Sequence, residues 1–173
     1  MNIKAFPIAL ILLSTSLGAL GCAGGSPKID MGDGSSGGLV WGTIHYGFER
    51  QDRDRGIAYA DKLVELYGDE ARSQQASLSD YPSTDPPEET YRYATLNNVA
   101  FGLLGKAALL RENGDLAGAR ESCEAIIREY SFGQLKADSA GAKKIAPDMP
   151  RDAQGFVKLG EVAEWMLADL GER

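Results

Sequence analysis

Residues Glu88 to Tyr130 read EETYRYATLNNVAFGLLGKAALLRENGDLAGARESCEAIIREY, and this stretch decides the fold. Leu96, Ala100, Leu103, Ala107 and Leu110 recur every three or four residues, which paints an apolar stripe down a helix. Asn113-Gly114-Asp115 breaks the pattern. Gly114 suits the left-handed conformation that ends a helix, and the Asp115 carboxylate suits the cap of the next one. The stripe then resumes with Leu116, Ala119, Cys123, Ile126, Ile127 and Tyr130. Two helices joined by a tight turn, with their apolar faces turned together, form a hairpin. Gly102 and Gly105 inside the first helix each cost it about 1 kcal/mol relative to alanine, so they mark a place where a neighbour comes close.

Working outward, Asp54 to Tyr67 (DRGIAYADKLVELY) predicts a second amphipathic helix, with Ile57, Ala60, Leu63, Val64 and Tyr67 on one face and Gly68 as its end. Set Tyr67 against Tyr130 and the two helices align without gaps: Ala60 on Cys123, Leu63 on Ile126, Val64 on Ile127. A repeat from about Val40 to Tyr67 follows from that alignment; the alternative is the ordinary likeness of two amphipathic helices. Leu39 to Arg50 (LVWGTIHYGFER) reads either as a short strand or as a loose helix packing Trp41, Ile44 and Phe48. The helix is preferred, because a lone strand leaves its backbone unpaired. Asp69 to Pro87 is polar and irregular, with a turn or two of helix over Glu70 to Ala76. Pro86-Pro87-Glu88-Glu89 is a helix start. After Tyr130 the chain is locally basic and broken by Gly133, Gly141 and Pro147. A last helix over Pro150 to Leu170 presents Phe156, Leu159, Val162, Ala163, Met166 and Leu170. Trp165 lies off that stripe and reads either as a surface or interface residue or, preferred, as a ring partly sunk against the hairpin.

The hairpin resembles a tetratricopeptide repeat. The resemblance rests on a small residue, Ala107, seven before the turn glycine Gly114, on the Gly-Asp turn, and on Ala119 five residues past that glycine; Ser131 stands where the family has proline. It implies an all-α fold of TPR-like antiparallel helical hairpins, about five helices in all, acting as a protein-binding scaffold without chemistry of its own. In that family the groove is lined by the first helix of each hairpin. The resemblance therefore implies a partner-binding face carrying Tyr93, Asn97, Asn98 and Phe101, with asparagines clamping a peptide backbone. The alternative is that Phe101 packs inside and the asparagines are merely solvated.

The N-terminus reads as a secretory signal over residues 1–21, with Lys4 ahead of an apolar run too short to span a bilayer. Cys22 directly after Gly21 resembles a bacterial lipobox, with Ala19 where that motif prefers leucine. This implies cleavage before Cys22 and lipidation of its thiol; the alternative is an ordinary secreted protein. A Gly/Ser-rich tether over residues 22–40 and one helical domain over residues 41–173 complete the organisation. Ala23, by analogy with enteric lipoproteins, implies the outer membrane, facing the periplasm. Losing Lys4 takes the net charge from −7 to −8. A chain that acidic is not steered toward nucleic acid, so the lipid would hold it at the membrane, and another envelope protein is the partner implied.

Nothing in the sequence carries a catalytic signature. His45 is the only histidine, and no nucleophile motif accompanies it. Cys123 lies on a buried stripe, where a thiol behaves as a small hydrophobe. One histidine and one cysteine cannot build a zinc set, and no phosphate loop follows a strand, so no metal or cofactor is expected. Two rivals to the adaptor stand: a self-associating structural envelope protein, forming a homodimer, and a small hydrolase or sugar-binding domain using Trp41, His45 and Tyr46.

Overall fold

The turn at Asn113-Gly114-Asp115 is built as its residues require. Gly114 sits at φ +81°, and the Asp115 carboxylate accepts the Gly118 amide at 2.9 Å. In the computed structural model, which describes residues 29–30, 34–145 and 148–171, this turn joins α4 (Ala94–Glu112) to α5 (Leu116–Glu129). Ala100, Ala107, Ala119, Cys123 and Ile126 are wholly buried between the hairpin and its neighbours.

Ahead of the hairpin lie α1 (Ser36–Ile44), a π-helical turn (His45–Glu49) and α2 (Arg53–Ala76). Ser35 and Asp52 cap α1 and α2 through their side chains. The stretch from Leu39 to Arg50 is thus helix, not strand, and Ile44 and Phe48 turn toward the core. Trp41 does not: its indole is 59% exposed. Residues 36–40, expected in the tether, are helical, and Leu39 is fully buried. The signal segment and Cys22 lie outside the described residues.

Two boundaries differ from the sequence reading. Helix α2 runs straight through Gly68 to Ala76. A side chain at Gly68 would meet the Tyr130 hydroxyl at 3.2 Å, so this glycine serves a close approach and not a helix end. The extra turns matter because they carry Gln74 and Gln75. The Gln74 side chain accepts the Leu96 amide at the start of α4 (2.8 Å), and Gln75 accepts the Phe132 amide after α5 (2.9 Å). The helix expected from Glu88 is broken into α3 (Glu88–Tyr91) and α4.

The C-terminal region departs furthest. The helix expected from Pro150 begins only at Leu159, as α7 (Leu159–Gly171). Phe156–Lys158 is instead β2, paired antiparallel with β1 (Gln134–Lys136) in the register Gln134↔Lys158. Between the strands lies α6 (Ala140–Ile145). The stripe residues Phe156, Leu159, Val162, Ala163, Met166 and Leu170 are all buried as read, but Trp165 is 59% exposed rather than sunk. The described residues therefore form a mainly helical fold with seven α-helices and a two-stranded ribbon, more pieces than the five helices expected.

Helix α4 touches α1, α2, α5, α6, α7 and β1. It is buried nearly all round, from Val99 through Gly105 and again over Ala107 to Leu109. A single stripe undersells it; it is the central rod of the molecule.

Ala107 is wholly buried on this rod, whereas Ala117 on α5 is exposed. Ala107→Leu should cost about 1–3 kcal/mol through overpacking, and Ala117→Leu less than about 0.5 kcal/mol. Thermal unfolding of the two variants checks this, and equal melting would contradict the hairpin packing.

Candidate functional site

The face of α4 expected to line a groove is covered by the chain itself. Asn97 is 7% exposed and Phe101 4%. The Asn97 amide nitrogen donates to the Thr90 carbonyl (3.0 Å), and its oxygen accepts the Gln134 amide at the start of β1 (2.8 Å). Gln134 in turn donates to the Pro82 carbonyl at 2.7 Å, and the Thr90 hydroxyl to the Ser83 carbonyl at 3.0 Å. Asn97 is thus the hub of a buried network that fastens the polar excursion, α3 and β1 onto α4. Both ends of its amide are consumed there. Tyr93 is half-buried against the core. Asn98 donates to the Ser36 hydroxyl at 2.9 Å. The four residues do not share one groove: Asn98 and Phe101 border the cleft described below, and Tyr93 and Asn97 do not.

Two concavities have walls built from α4. The first is a groove of about 390 Å³ between α2, α4 and α5. Ile57, Leu103, Leu110 and Ala125 give it apolar walls, and Asp61, Asp115 and Glu121 put carboxylates along it. Its one basic lining residue, Lys106, is bound to Asp61 at 2.5 Å. Sequence reading found Ile57, Leu103 and Leu110 as parts of separate stripes and passed over Ala125. It missed the groove because the residues come from three helices.

The second is a cleft of about 310 Å³ between α1, α4 and the β1–α6 segment, lined by Trp41, His45, Glu49, Asn98, Phe101 and Ser139 among others. The π turn shapes one wall: the Arg50 amide closes onto the His45 carbonyl five residues back at 2.9 Å. The turn is tight against the core, since a side chain at Gly47 would meet Leu109 at 2.6 Å. His45 is fixed from both sides. Its Nδ1 lies 2.8 Å from Glu49 Oε2, and Arg50 Nε donates to its Nε2 at 3.3 Å. Arg50 can only donate, so Nε2 is the acceptor and the ring proton sits on Nδ1. Lys144 donates to the other Glu49 oxygen at 2.9 Å. That bond, with the one from His45, holds the Glu49 carboxyl below its ordinary range. Both ring nitrogens of His45 thus have side-chain partners.

Of the three residues expected to act together, Trp41 and His45 stack at 4.4 Å with 12° between planes. Tyr46 meets both edge-on, 5.1 Å from the His45 ring and 6.3 Å from Trp41. Its other contacts are with the core edge: it stacks on Tyr59 at 5.2 Å with the Arg55 guanidinium 3.7 Å from its ring centre. Glu49 lies four residues after His45, a spacing visible in the sequence; Lys144 gave no signal.

Cys123 is wholly buried, and burial pushes its thiol up to about 11. Among the described residues no three His, Cys, Asp or Glu side chains are grouped to hold a metal ion, and no helix is long and apolar enough to cross a membrane. No protein-family model, curated protein or solved structure matches the chain.

If Asn97 is a structural hub, Asn97→Ala should destabilise the fold by about 1–3 kcal/mol, because buried partners lose their bonds. Asn98→Ala removes one half-buried bond and should cost less than about 1 kcal/mol. Urea unfolding of both variants decides it, and equal small losses would return Asn97 to a surface role.

Proposed function

We propose that this chain is a lipid-anchored binding module of a bacterial cell envelope. In this reading its helical domain, a TPR-like scaffold, holds a segment of another envelope protein. The observation that carries the proposal is the groove between α2, α4 and α5, which joins apolar walls to Asp115 and Glu121, its third carboxylate, Asp61, being paired with Lys106. Such a surface suits an extended or helical segment with apolar anchors and flanking lysine or arginine: apolar burial supplies affinity, and the charges supply orientation.

The repeat reading gains support from burial. Ala60 and Leu63 on α2 are fully buried, as are their aligned partners Cys123 and Ile126 on α5. Val64 and Ile127, also aligned, are both half-buried. Helices α2 and α5 thus use corresponding positions against α4, which touches both.

A photo-crosslinking residue placed at Ala125, in the groove, tests the binding half in intact cells. It should give a discrete adduct that the same residue at exposed Arg92 does not. No adduct from position 125, or equal adducts from both, would contradict the groove. For the anchor, Cys22→Ser should release the protein from the membrane fraction or leave an uncleaved precursor. A mature, membrane-bound variant would rule out lipidation at Cys22.

A further inference from the structure

The cleft between α1 and α4 lies apart from the groove just assigned and has its own chemistry. Its outer wall is the Trp41 indole, 59% exposed and stacked on His45. Folding gains little from an indole held in water, and this one is held firmly. The imidazole beneath it is locked by Glu49 and Arg50, and Glu49 by Lys144. The result is a flat apolar platform whose support leaves the cleft-facing polar groups in place. Those groups are the Asn98 amide, whose nitrogen donates to Ser36, the Ser139 hydroxyl and the Glu49 carboxylate, whose oxygens can each accept a further hydrogen bond beside those from His45 and Lys144. Val40 and Leu135 also line the cleft.

The charge here is balanced, because Lys144 lies on Glu49 at 2.9 Å. A charged ligand would therefore find no unmatched partner in this pair. At about 310 Å³ the cleft sits at the small end of ligand sites, which run from roughly 300 to 1,000 Å³. A neutral ligand with one flat apolar face and hydroxyls around its edge matches this arrangement. A sugar ring has that form: its axial C–H groups lie on an aromatic face while its hydroxyls reach amide, hydroxyl and carboxylate partners. From this geometry we propose that the α1–α4 cleft is a binding site for a neutral glycan, with Trp41 as the stacking platform and Asn98 and Glu49 as polar contacts.

The chain has two tryptophans, and the second, Trp165, lies elsewhere on α7. Trp165→Phe therefore makes Trp41 the single indole reporter. Titrating this variant with tri-N-acetylchitotriose, cellotriose and maltotriose at millimolar concentrations should give a saturable change in emission with at least one of them. Calorimetry with the sugar that binds should then show at least tenfold weaker binding for Trp41→Ala and a smaller loss for Asn98→Ala. The Trp165→Phe protein should bind as the parent does. Trp41 is exposed, so an unchanged melting temperature for Trp41→Ala keeps the comparison valid; Trp41→Phe, retaining an aromatic face, should recover part of the affinity. Three flat titrations overturn the proposal, as does sugar binding that Trp41→Ala leaves intact. Saturable binding of indole or of a peptide where all three sugars fail would also overturn it, assigning the cleft to another ligand class.

Discussion

Everything in this molecule depends on how closely other elements can approach α4. At Gly102 a side chain would stand 2.5 Å from Leu63 of α2. At Gly56 it would stand 2.6 Å from the backbone of Gly47, so α2 and the π turn touch main chain to main chain. No rotamer change relieves a backbone clash of that kind, and the π turn would have to move away. Small residues at these crossings let α1 and α2 close over the rod, and the glycine penalty in helix propensity is set against the packing it permits. The same approach fixes His45 and Trp41, because the wall of the cleft is the π turn itself.

A second layer of order comes from amide side chains. Apolar packing does not by itself fix short or irregular segments, since their backbone groups need partners. Gln74 and Gln75 serve the starts of α4 and of the segment after α5, while Asn97 and Gln134 serve the excursion and β1. Asp152 does the same for the turn before β2, accepting the Phe156 amide at 2.8 Å and the Thr84 hydroxyl at 2.9 Å. The groove and the cleft thus have rigid surroundings made by different means: packing on one side of α4, polar ties on the other.

The parts legible in the sequence were those set by local chemistry. The hairpin turn needs a glycine and a capping aspartate, and both stand at adjacent positions. The stripes of α2, α5 and α7 follow from periodicity. What escaped depended on contacts distant in the chain. A helix buried all round shows no polar face, so α4 read as one stripe and its opposite side as a groove. Gly68 looks like a stop signal until Tyr130 lies against it. Three-residue strands are too short to show alternation, and Phe156-Val157 merged into the helix pattern that follows. Trp41, His45 and Tyr46 drew attention as neighbours in the sequence, and their rings do pack together, though Tyr46 also stacks inward on Tyr59. Glu49 and Lys144, ninety-five residues apart, meet only in the fold.

Native-state hydrogen exchange tests the central claim, that α4 is the rod on which the other elements depend. Amides from Val99 to Leu109 should exchange only through global unfolding, with protection equal to the full unfolding free energy. Those of α6, and of the first and last turns of α7, should exchange by smaller openings. Contradiction would be α4 amides exchanging through a local opening while α5 or α7 stayed protected, since the rod would then be peripheral.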